Sequence, residues 1–154
     1  MPEKPEQLAY NEALRAIESQ EQTLGELRSR TGILLTGASL VTSLFGASAL
    51  EAEQVDVWSV VALLAFAAVV GSCVWIALPR RKAWRFSLSA TILLEDWADE
   101  PRSGDVTLMT RFLATTLERN YRSNEDLLEG LYNWFTAAAV LLGVEVLAWA
   151  LELA

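Results

Sequence analysis

Three long apolar stretches alternate along the chain with polar ones, and the two kinds differ in periodicity. Residues 31–50, "TGILLTGASLVTSLFGASAL", and 57–78, "VWSVVALLAFAAVVGSCVWIAL", contain no charged side chain, while 131–151, "LYNWFTAAAVLLGVEVLAWAL", contains one, Glu145. At the α-helical rise, about twenty residues cover the ~30 Å hydrocarbon core of a bilayer. The pattern therefore predicts three transmembrane helices, at 31–50, 57–78 and 131–151. The polar stretches carry apolar residues at helical spacing instead. In 6–30, Ala13, Ile17, Leu24 and Leu27 recur among Glu, Gln and Arg, which predicts an amphipathic helix with no proline after Pro5 to stop it short of the first span. In 105–130, Asp105 follows the turn "PRSGD" as an N-cap, and Leu108, Met109, Phe112, Leu113, Leu117, Tyr121, Leu127 and Leu128 lead to Leu131 in the third span. The predicted fold class is all-α. The whole chain is read as one integral membrane domain with three transmembrane helices, two of whose helices extend into a cytoplasmic helical stalk.

The distribution of charge orients this arrangement. Of the twelve Lys and Arg residues, Lys4, Arg15, Arg28 and Arg30 precede the first apolar stretch, and the other eight lie in 79–130. The short connection "EAEQVD" between the first two stretches holds none. Cytoplasmic connections carry the basic excess, so the N-terminus and 79–130 are expected in the cytoplasm and the C-terminus outside. Four of the basic residues, Arg80, Arg81, Lys82 and Arg85, crowd into "LPRRKAWRF", where Pro79 ends the second span and the cations hold its end in the headgroup layer. The same cluster has the chemistry to grip an acidic lipid headgroup or a phosphate. Tryptophans bracket the second span, Trp58 and Trp75, and the third, Trp134 and Trp149. Each pair is separated by roughly 22–26 Å at helical rise, which predicts an outer belt of Trp58 and Trp149 and an inner belt of Trp75 and Trp134.

Composition excludes several classes. With 154 residues there is chain for one domain, and too little to surround three such helices with soluble protein. The formal net charge of −8 argues against a nucleic-acid partner, which needs a basic face. The absence of histidine and the presence of a single cysteine, Cys73, leave no Ser-His-Asp triad, no intrachain disulfide and no Cys/His metal centre. Cys73 is expected to pack. Glu95, Asp96, Asp99 and Glu100 form no metal-binding loop, and a solvated face is the expectation. No catalytic residue, cofactor or metal is therefore expected, and the chain is not read as an enzyme. The N-terminus, with no apolar run behind a basic start, is not expected to be a cleaved leader.

Two features carry candidate function. Gly25, Ser29, Gly32, Thr36, Ser39, Ser43 and Gly46 follow one another at alternating steps of four and three, forming one seam on the first helix. Small and hydroxyl residues there let helices approach closely; if copies of the span surround a path, Thr36, Ser39 and Ser43 line it. Glu145, inside the third span, costs at least ~2.5 kcal/mol to insert and is a functional candidate, or else a group that is hydrated or captures a hydroxyl from the first span.

The layout, an amphipathic helix entering the bilayer through "ELRSRTGILLTGASLVTSLFG", a short outer hairpin, a second span ended by "LPRRKAWRF", and a returning helix "RFLATTLERNYRSNEDLLEGLYNWF", resembles small bacterial membrane effectors of antiphage signalling. The likeness is to Pycsar transmembrane effectors and to the SLATT domain. It implies a homo-oligomer of the bacterial inner membrane that opens or perturbs the bilayer. The trigger it implies is a cyclic nucleotide or a cytoplasmic signalling partner. The chain has no nucleotide-sensing domain of its own, so a trigger supplied by another protein fits it better. The competing expectation is a non-catalytic membrane anchor or scaffold whose cytoplasmic helices dock a partner.

Overall fold

A computed structural model describes residues 4–50, 56–78, 84 and 106–153, the side chains of 48–50 excepted. Among the described residues the chain is all helical, with α1 at Pro5–Leu50, α2 at Val57–Ala77 and α3 at Val106–Glu152, and no strand. Pro5 opens α1 at the one place where a missing N–H costs nothing, and the Gln7 and Leu8 amides bond back to the Lys4 carbonyl at 3.0 and 3.1 Å. No proline follows, and α1 runs unbroken for 46 residues. Asp56 caps α2, its carboxylate accepting from the Val57 amide at 2.7 Å. Leu78 leaves the helix at φ −57°, ψ 125°, the conformation expected of a residue whose α region is closed by the following proline. The basic cluster Arg80, Arg81, Lys82 and Arg85 and the acidic group at 95–100 lie outside the described residues.

The chain divides into two compact units, Met1–Leu24 with Arg80–Leu128, and Gly25–Pro79 with Glu129–Ala154. In the first unit α1 and α3 pair directly. Ala13 and Ile17 pack on Leu117, flanked by Tyr10 and Tyr121, and the Gln20 amide donates to the Tyr121 carbonyl at 3.0 Å. Advancing along α1 from 17 to 20 advances the partner along α3 from 117 to 121, so the two helices run parallel. The buried positions, 13, 17, 20 and 24 on α1 and 117, 120 and 124 on α3, alternate steps of four and three. That is the 3.5-residue repeat of a left-handed pair with interlocking side chains. Three of these seam positions are polar, Gln20, Asn120 and Asn124; such residues specify register at a cost in stability. Exposed ion pairs, Arg15 to Glu12 at 3.2 Å and Arg122 to Glu118 at 3.0 Å, add about 0.3 kcal/mol each. The apolar contacts dominate, so Leu117→Ala is expected to destabilise this unit by about 2–5 kcal/mol, read as a lowered midpoint of helix loss in chemical denaturation.

In the second unit all three helices meet. Ala38 packs with Val69 and Cys73, flanked by Leu34, Leu35, Phe66, Leu141 and Leu142. Ala62 packs with Ala148 and Trp149, flanked by Val41, Phe45 and Val61. Going from the first cluster to the second, residue numbers rise on α1 and α3 and fall on α2. In this bundle α1 thus runs parallel to α3, with α2 antiparallel to both. Buried alanines at 38, 62, 65, 138 and 148 remove the bulk that would hold the axes apart. Cys73 is buried, as packing requires. Trp75 of α2 and Trp134 of α3 stack at a tilt, ring centroids 6.3 Å apart, a geometry worth about 1 kcal/mol beyond the area it covers.

The exterior of this second unit is apolar. Ile33 is 71% exposed and Leu64 and Leu147 are each 66% exposed. Among the described residues two helices are long and apolar enough to cross a membrane, Val57–Ala77 and Val106–Glu152, and only 33% and 22% of their most apolar stretches are buried within the protein. The apolar half of α1, the third stretch expected to cross, is not one of these two. One expectation from the tryptophans is corrected. Trp149 is 1% exposed, packed on Gly46 and Ala62, so it belongs to the core and leaves Trp58 without it in an outer belt.

Candidate functional site

The hydroxyl residues of α1 fall into two sets. Thr31, Thr36, Ser39 and Ser43 each donate to the carbonyl four residues back, at 2.7, 2.9, 2.9 and 2.7 Å. These groups are satisfied within their own helix and can face any medium, including hydrocarbon. Thr42 differs. Its Oγ1 donates across to Glu145 Oε1 of α3 at 2.6 Å, a short charge-assisted geometry when the carboxyl is ionised.

Glu145 is 0% exposed, held inside the second unit between α1 and α3. The hydroxyl it captures is thus Thr42's, and not one of the seam hydroxyls Thr36, Ser39 and Ser43. A one-residue offset explains why. The seam and the packed face of α1 both repeat every 3.5 residues, but the packed face runs through Thr31, Leu34, Ala38, Val41, Thr42 and Phe45. Gly32, Thr36 and Ser43 are exposed and Ser39 half-buried, so the seam points away from α2 and α3. Gly46 is the exception. It lies one turn beyond Thr42, and a Cβ built on it would meet the Trp149 ring at 3.6 Å. That distance is ordinary contact, so Gly46→Ala is expected to change stability by less than about 1 kcal/mol, whereas Gly46→Leu drives a branched chain into the indole and costs about 1–3 kcal/mol. Thermal unfolding in detergent, followed by helix content, separates the two.

Around Trp149 the polar groups are incompletely paired. Glu145 Oε2, Trp149 Nε1 and the Ser59 hydroxyl are buried with no protein partner. Ser59 is the third residue of α2. Its backbone amide, one of the free donors of a helix N-terminus, donates to Glu152 Oε2 at 3.2 Å, so the end of α3 caps the start of α2. Thr42, Ser59 and Glu152 carried no sequence signal that set them apart; their roles come from the helix pairing alone. Among the described residues no three acidic or cysteine side chains gather as a metal would require.

The first unit offers a different feature. A groove of about 770 Å³ runs along α1 and α3, floored by Ala9, Ala13, Ala16 and Ala114 and edged by Glu12 and Arg119.

The fold and these sites together define an all-helical protein with a parallel helix pair in one unit and an apolar-surfaced three-helix bundle with an internal carboxyl in the other. No family model matches the chain, and neither a curated protein nor a solved structure does.

Proposed function

We propose that this protein is a homo-oligomeric effector of the bacterial inner membrane that forms a pore or perturbs the bilayer, as antiphage effectors do, and that a signal reaches it through its cytoplasmic helices. In this reading α1 contributes a third span at 31–50, the first unit lies in the cytoplasm, and the C-terminus is outside. The observation that carries it is the exterior of the second unit. Large aliphatic side chains cover it, at a cost in water of about 25 cal/mol for each Å² left wet. One strip, Gly32, Thr36 and Ser43, is instead small, hydroxyl-bearing and internally satisfied. Hydrocarbon suits the aliphatic surface, and a second copy of the chain suits the strip. The parallel course of α1 and α3 and the reversed course of α2 agree with three successive crossings. A cyclic nucleotide, or a partner that senses one, is the trigger proposed with this reading.

Expression in cells carrying a voltage-sensitive dye tests the proposal. Depolarisation on expression or on phage challenge is the expected result, and an unchanged potential under both conditions contradicts it.

A second reading, a passive anchor that docks a partner, has one observation in its favour, the alanine-floored groove of the first unit. If docking is the whole function, Ala9→Arg blocks it, and changes in the seam of α1 do nothing.

A further inference from the structure

We propose that the seam from Glu145 to Glu152 is a binding site for water and its excess proton, a polar file through which the Glu145 carboxyl exchanges protons with the aqueous phase at the Glu152 end of the second unit. The inference rests on the membrane reading given above, because only there does a route for water need building.

On α3, Glu145, Trp149 and Glu152 follow at steps of four and three, on one face and over about 10 Å at helical rise. α2 faces them with Ser59, whose amide is bonded to Glu152, and with Ala62, packed against Trp149. Glu152 itself is half-buried, and marks the wet end of the file. On these facing helices three buried polar atoms have no protein partner: Glu145 Oε2, an acceptor; Trp149 Nε1, a donor; and the Ser59 hydroxyl, which is both. The side chains around them, Ala62, Ala148 and Phe45, have nothing to offer. A water molecule has. It accepts from the indole N–H while donating to the carboxyl oxygen, and buried waters of this kind occupy sites with two to four polar partners. The indole donor disfavours a metal cation in the same place.

The order of the groups gives the path. A proton arriving as hydronium at Glu152 passes along the waters beside Ser59 and Trp149 and ends on Glu145 Oε2, the oxygen that Thr42 leaves free, since Thr42 holds Oε1. The return of that proton to water restores the starting state. Among the described residues of this neighbourhood the other titratable groups are Glu152 and, at the same end, Asp56, whose carboxylate caps α2 at the Val57 amide: α1 brings Val41, Thr42 and Phe45, α2 brings Ser59, Val61 and Ala62, and Cys73 belongs to the other apolar cluster.

The test uses the full chain in lipid nanodiscs, open to buffer on both faces, and follows by infrared spectroscopy the carboxyl band that disappears in Glu145→Gln. After a rapid pH step that band is expected to change within the mixing time. In the double variant Ser59→Ala, Trp149→Phe the change is expected several-fold slower, at unchanged helix content and disc incorporation. Exchanging sodium for potassium at constant pH is expected to leave the band alone. A band that ignores the pH step, a double variant as fast as the parent, or a band that follows sodium overturns the proposal. Failure of the parent chain to co-elute with discs would instead sink the membrane reading, and this inference with it.

Discussion

Replacing Thr36, Ser39 and Ser43 together by leucine is expected to abolish depolarisation on expression while leaving the protein in the membrane fraction at its parental level. Each of these hydroxyls bonds its own helix, so none holds the second unit together, and Thr36 and Ser43 face outward. The substitution adds three bulky side chains to a strip whose value lies in its narrowness. Copies of α1 can then no longer approach at the seam, and any path lined by hydroxyls closes. The effect is the complete loss of conductance. A passive anchor would tolerate the same change without consequence, so the triple variant also separates the two readings. Retained depolarisation would show that the seam of α1 is not where copies meet.

The largest expected effect on stability comes from Trp149→Ala. The ring packs against Gly46, Ala62 and Ala148, and none of those three neighbours has a rotatable side chain that could swing into the cavity. A loss of about 3–5 kcal/mol follows, measured as a lowered midpoint in denaturant titration of the detergent-solubilised protein. Trp149→Phe keeps most of the ring and gives up only an N–H that has no protein acceptor, and it should recover most of that stability.

The helical architecture was legible because periodicity reports burial directly. Ala13, Ile17, Leu24 and Leu27 stand out as one apolar stripe in sequence, and all four are buried. The end of α2 was legible in Pro79, and the burial of Cys73 in its apolar neighbours. Partner choice was not legible. Gln20, Asn120 and Asn124 give no sign of burial in sequence, because a helix pattern scores them as polar whatever they face, yet all three are buried in the α1–α3 seam. Thr42 and Thr36 likewise look equivalent, being hydroxyl residues in the same apolar run. Which of them meets Glu145 depends on the rotation of α1 about its axis, a property of three-helix packing that a single helix does not encode. Trp149 misled for the same reason: its position near a span end suited an interfacial belt, while Gly46 opposite it made a core site.

Everything proposed for the second unit requires three crossings of a bilayer, with α1 and α3 rising together. The most direct measurement places a single cysteine after Ala154 in a Cys73→Ser background and treats intact cells with a membrane-impermeant maleimide. The account predicts labelling before lysis, at the level of an exported control. Labelling only after the cells are broken would put that terminus inside and contradict the account.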